Sequence, residues 1–157
     1  MKIVVGTDHA GFGLKEKLLP FLKELGHEVE DKGAFEYNEH DDYPDYIIPV
    51  AREVSMRPND VKGIILGGSG EGEAMTANKF PDVRATVYYG ERKCITDSND
   101  TIIKLSRQHN DANVLSLAAR FITEDEMKNA VKEWLATPFS GEKRHIDRIN
   151  KMNHIHV

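Results

Sequence analysis

The chain holds one cysteine, Cys94, in 157 residues. A single thiol excludes an intrachain disulfide and any zinc site built from several thiolates, and alone it reads as a structural residue. Long apolar runs are lacking too. Nothing approaches the length of a membrane-spanning helix, and Met1-Lys2-Ile3-Val4-Val5-Gly6 shows no charged leader followed by a long apolar stretch. The expectation is a cytoplasmic protein with no membrane partner. Positive charge is also scarce: 21 Lys and Arg stand against 26 Asp and Glu, a net charge of −5. That balance argues against a nucleic-acid partner. No internal repeat or low-complexity tract divides the chain.

What remains is the make-up of one globular domain, 1–157, with 39% hydrophobic and 30% charged residues. It is long enough to bury one sizeable core. Ile3 to Val5 reads as a buried strand that ends at Gly6-Thr7-Asp8-His9-Ala10-Gly11. Leu14, Leu18, Phe21, Leu22 and Leu25 then recur at helical spacing until Gly26 stops them. Glu28–Asp31, Val61–Leu66, Arg84–Tyr88 and Ala112–Leu117 read as further strands. Asp41-Asp42-Tyr43-Pro44 opens a helix striped by Ile47, Val50, Ala51 and Val54, and Ala74 to Lys79 reads as a short one. Thr123-Glu124-Asp125-Glu126 is a capping box, and Ile146, Ile149 and Met152 suggest a last helix within an arm, 141–157.

Five strands alternating with helices predict a parallel sheet covered on both faces, a doubly wound, Rossmann-like α/β fold. Ligands in such folds sit beyond the carboxyl ends of the strands. Asp8-His9, Gly67 to Glu73 and the exit of the fourth strand should therefore share one rim.

The segment Leu66-Gly67-Gly68-Ser69-Gly70-Glu71-Gly72-Glu73 carries the chemistry. A glycine-rich turn between a strand and a helix lets the backbone approach a ligand and aims N–H groups at negative charge. Common glycine motifs do not fit it. A Walker loop would need Gly-Lys-Ser/Thr where the chain has Gly72-Glu73-Ala74. The dinucleotide fingerprint would need glycine at Glu73 or, for Gly11-Phe12-Gly13, at Glu16. The hydrolase elbow breaks at Glu71. Carboxylates inside an anion cradle suit one task well: taking a proton from carbon beside a carbonyl while the amides hold the oxyanion. A plain tight turn with solvated acids is the alternative.

Three further segments carry polar groups in distinctive combination: Asp8-His9-Ala10-Gly11, Ser106-Arg107-Gln108-His109-Asn110-Asp111 and Arg144-His145-x-x-Arg148. With Gly67 to Glu73 and Asn78-Lys79 they resemble, in order and over nearly the whole chain, the ribose-5-phosphate isomerase B family, which includes galactose-6-phosphate isomerase. The resemblance implies aldose–ketose isomerisation of a phosphorylated sugar through a cis-enediolate, with no metal and no cofactor. Ribose 5-phosphate is the first expected substrate. Another pentose or hexose phosphate, or a non-catalytic phosphosugar-binding protein, are the alternatives.

Family members carry their base either as a cysteine just before the glycine loop or as a glutamate just after it. Here the cysteine position is Gly67 and the glutamate position is Glu73, so the resemblance makes Glu73 the base, with Ser69 and the amides of Gly68, Gly70 and Gly72 around the enediolate. It gives Asp8 a role in substrate handling or ring opening and His9 a phosphate contact; Asp8 alone could equally cap the next helix. His109 resembles the residue that opens the furanose ring, a task suited to a pKa near neutrality, with Asn110 beside it. Arg120, Arg144 and Arg148 resemble the phosphate set, since arginine forks match phosphate oxygens, and His145 lines the same site. The resemblance further implies a homodimer, or a tetramer, with active sites shared across a two-fold axis. The polar stretch Tyr89 to Asp100 is longer than the family pattern. His154 and His156 form an H-x-H pair in a terminal tail.

Overall fold

A computed structural model describes residues 1–92, 94, 95 and 100–154. His156 and the centre of the 89–100 stretch lie outside the described residues.

The strands are β1 (Lys2–Thr7), β2 (Glu28–Asp31), β3 (Val61–Gly67), β4 (Ala85–Tyr88) and β5 (Val114–Ala118). They form one parallel sheet in the order β2-β1-β3-β5-β4. The helices are α1 (Phe12–Glu24), α2 (Tyr43–Met56), α3 (Glu71–Ala77), α4 (Ile102–Asn110), α5 (Glu124–Ala136) and α6 (Lys143–Asn153).

Neighbouring residues of a strand face opposite ways, and here both faces are apolar, as a parallel sheet covered on two sides requires. Ile3, Val5, Ile64, Leu66, Leu115 and Leu117 pack under α1, α4 and α5, against Leu18, Leu22, Ile103, Val131 and Trp134. Val4, Ile65 and Val114 pack under α2, whose stripe Ile47, Val50, Ala51 and Val54 is fully buried. The predicted doubly wound α/β fold is the observed one.

From β1 the chain moves outward to β2, then crosses back to β3 on the other side of β1. This reversal opens a crevice beyond the carboxyl ends of β1 and β3, the place where such folds bind ligands. Asp8 leaves β1 there and Gly68 leaves β3.

Two elements differ from the sequence reading. Helix α3 begins at Glu71 rather than Ala74, because Gly70 adopts the left-handed conformation (φ 76°) and turns the chain at once. Glu71 and Glu73 thus lie in the first helical turn. Helix α4 was not foreseen, since the face it buries holds Ile103, Ser106 and Arg107 and makes no apolar stripe. Thr101 caps it by accepting the Lys104 N–H at 3.0 Å. The capping box at Thr123 and Glu126 forms as read.

Candidate active site

Glu73 is 4% exposed and its carboxylate lies directly over Gly67. A Cβ on Gly67 would sit 1.8 Å from Glu73 Oε1, so the glycine is what gives this side chain room. Burial is the main cause that raises the Glu73 pKa above the ordinary carboxylate value; Asp8 and Glu71 add to it, while its own backbone N–H and Arg120 oppose it. A carboxylate held this way is a stronger base than one in water.

The loop before it is shaped by close contacts. Gly67 and Gly68 carbonyls accept from Ala119 and Arg120 N–H groups at 2.9 and 3.2 Å, tying the loop to the end of β5. The exposed Arg120 guanidinium lies 3.2 Å from where a Gly68 Cβ would be. Ser116 donates to the Gly70 carbonyl at 2.6 Å. Ser69 accepts the Glu71 N–H at 3.3 Å, whereas the N–H groups of Gly68, Ser69 and Gly70 have no acceptor among the described residues. These amides stand at the start of a helix and beside an arginine, a geometry that suits an anion.

Asp8, 6% exposed, accepts the Ala10 N–H at 3.0 Å. It does not cap α1, whose N-cap is Gly11. Gly11 is needed for the close approach of α1 to β3: a Cβ there would meet Thr7 Oγ1 at 2.3 Å and Leu66 Cβ at 2.6 Å. Thr7 donates to the Leu66 carbonyl at 3.0 Å and so joins the ends of β1 and β3. His9 Nδ1 lies 2.7 Å from Asp41 Oδ1, which also accepts the His9 backbone N–H at 3.0 Å. Asp41 therefore fixes the ring and leaves Nε2 for other partners.

Asp41 and Tyr43 escaped the sequence reading as site residues. Both were read as helix-start residues only. Yet Tyr43 Oη lies 2.8 Å from where a Gly72 Cβ would be, which lays its phenol across the glycine loop. The only sequence signal was their place after β2, on the rim that holds Asp8.

The remaining predicted residues are elsewhere. His109 and Asn110 end α4, just before Val114 begins β5, whereas Glu73 follows the opposite end of the neighbouring strand. At about 3.3 Å per residue the two rims of β5 are roughly 13 Å apart. Helix α6 belongs to the same far rim, where Asn153 donates to Asp82 at 2.7 Å. There Arg144 is exposed and paired with Glu142 at 2.8 Å, and Arg148 is exposed. His145 is 1% exposed, so within one chain it lines no open site. A single chain thus gathers Asp8, His9, Ser69, Glu73 and Arg120 but not His109, Asn110, Arg144, His145 or Arg148.

Cys94 is exposed. It borders a cavity of about 790 Å³ beyond the end of β4, lined also by Tyr88, Glu91, Arg92, Thr101 and Glu133. No helix of the described residues is long and apolar enough to cross a membrane.

A buried carboxylate set against free amides at the switch point of a doubly wound sheet defines an α/β enzyme that moves protons on an anionic ligand. The chain matches the Ribose/Galactose Isomerase family over residues 3–152, and it belongs to that family. It is similar to ribose-5-phosphate isomerase B of Escherichia coli (strain K12), 39% identical over 98% of this chain and 95% of that one. The enzyme of the same name from Mycobacterium tuberculosis (strain ATCC 25618 / H37Rv) is 36% identical over 96% and 86%. Among solved structures, ribose-5-phosphate isomerase B from Mycoplasma genitalium with bound ribulose-5-phosphate superposes with a TM-score of 0.88 at 35% identity, covering 97% of this chain and 93% of that one. The Clostridium thermocellum enzyme gives 0.86 at 38% identity, covering 98% and 95%.

Proposed function

We propose that this chain is a ribose-5-phosphate isomerase that interconverts ribose 5-phosphate and ribulose 5-phosphate, with Glu73 as the base. The placement of the Glu73 carboxylate on Gly67, buried and beside the loop amides, carries the reading. Relatives named ribose-5-phosphate isomerase B, one of them solved with ribulose-5-phosphate, support the choice of sugar.

Glu73 removes the proton from C2 of the open aldose. The electron pair moves into a C1–C2 double bond and charge collects on O1, where the amides of Gly68, Ser69, Gly70 and Gly72 stabilise it. One such donor is typically worth roughly 10²–10³ in rate. Glu73 returns the proton to C1 while the O2 proton passes to O1, which leaves the ketone at C2 and a hydroxyl at C1. Asp8 and Ser69 handle the sugar hydroxyls, and His9, oriented by Asp41, meets the phosphate with Arg120. No metal or cofactor takes part in these steps.

His109 opens the ring and Arg144 and Arg148 grip the phosphate from the far rim of a second copy, in a two-fold dimer with two shared sites. Asn110 joins His109 at the sugar. The far-rim position of these residues, with Arg144, Arg148 and Asn110 exposed, supports this arrangement. The protein works in the cytoplasm, with a phosphorylated sugar as its small-molecule partner.

Incubation with a panel of pentose and hexose phosphates, with and without EDTA, tests the reading. Ribulose 5-phosphate should form from ribose 5-phosphate at a rate that EDTA leaves unchanged. No product from any member of the panel would contradict it.

A further inference from the structure

His145 is the one buried residue of α6, and it is buried against an imidazole. Its ring centroid lies 4.3 Å from that of His109 at an interplanar angle of 40°. Ser140 Oγ stands 2.8 Å from His145 Nδ1 and also accepts the Glu142 N–H at 3.3 Å. The Ser140 backbone N–H donates to the Gln108 carbonyl at 3.1 Å, one residue before His109. Ser140 is therefore anchored to the end of α4 and holds a ring that in turn backs the His109 ring. Imidazole χ2 is a soft torsion, and a partly exposed histidine at a helix end has little else to fix it. Among the described residues the structure shows no side-chain hydrogen bond to His109 itself.

We propose that Ser140 and His145 are positioning residues for the ring-opening step, which hold the His109 imidazole in its working orientation. The inference rests on the reading of His109 as the ring opener. His145 touches no substrate in this account. Burial, with the neighbouring His109 and Arg144, lowers its pKa.

The experiment compares His145→Ala, His145→Phe, Ser140→Ala and His109→Asn on two substrates. Ribose 5-phosphate is mostly cyclic, while erythrose 4-phosphate cannot close a furanose ring. His109→Asn and His145→Ala should each lose at least tenfold in kcat on ribose 5-phosphate and less than threefold on erythrose 4-phosphate. His145→Phe keeps a ring face against His109 and should recover most of the loss; Ser140→Ala should fall between. Selective loss in His109→Asn with none in His145→Ala or Ser140→Ala overturns the inference and leaves the ring-opening reading standing. Equal losses on both substrates in the His145 and Ser140 variants overturn it as well. Equal losses in His109→Asn overturn the ring-opening reading itself.

Discussion

The Glu73 carboxylate occupies the volume into which a side chain at Gly67 would project, 1.8 Å from an ideal Cβ. Gly67 lies on the face of β3 that carries Ile65, the side covered by α2, and α3 brings Glu73 back over it. One position can hold a side chain there only if the other does not. This explains in steric terms why this chain, with glutamate after the loop, has glycine before it.

Gly67→Ala should therefore damage catalysis rather than folding alone. The added methyl drives the carboxylate off by more than an ångström, and displacements of that size cost about 10²-fold in rate. We expect kcat to fall about 10²-fold with KM within a few-fold of the native value. Steady-state kinetics with an unchanged kcat would contradict the assignment of Glu73.

The raised Glu73 pKa has consequences for pH. In the window from the ordinary value of 4.5 up to the raised folded value, the folded state binds more proton than the unfolded chain. Stability from this group is therefore gained as pH falls through that window and is lost as pH rises through it. Glu73→Gln should melt higher than the native protein near pH 7, and the advantage should shrink to nothing in acid. The native kcat/KM should fall on the acid side with a midpoint above the ordinary carboxylate range. Calorimetry and rate profiles read both signs.

Shared sites can be tested by mixing subunits. Glu73→Gln and Arg144→Ala dimers should each be inactive or badly impaired. Unfolded together in equal amounts and refolded, about half of the dimers should be mixed, each with one intact site. Activity should then rise toward roughly a quarter of the native value, given independent sites. Mixed dimers seen by mass spectrometry without recovery would place Arg144 in its own subunit's site or in none.

Two glycines of the first turn should respond oppositely to alanine. Gly11→Ala overpacks the junction with Thr7 and Leu66 and should cost about 1–3 kcal/mol. A Cβ on Gly13 meets nothing within 4 Å, so Gly13→Ala should stabilise by up to about 1 kcal/mol. Urea denaturation reads both changes.

The sheet was legible in the sequence because its strands are short β-branched runs separated by helical stripes, and Glu28–Asp31 was read to the residue. Helix α4 was not, since burial of Ser106 and Arg107 breaks the apolar period that marks a helix. At the site, Glu73 was legible through its place after the glycines. The use of Asp41 was not, because its bond to His9 spans 32 residues and no local pattern records it. His145 was read as lining the site on its neighbours Arg144 and Arg148. Its burial against His109 depends on how α6 packs on α4, which periodicity alone does not set.

The proposed reaction turns on removal of the C2 proton by Glu73. Proton NMR of ribose 5-phosphate in D₂O follows that step directly, since exchange at C2 occurs even when net conversion is slow. The native protein should exchange the C2 proton, and Glu73→Gln should slow exchange by at least about 10²-fold while still binding the phosphosugar. Exchange by Glu73→Gln near the native rate would contradict the claim.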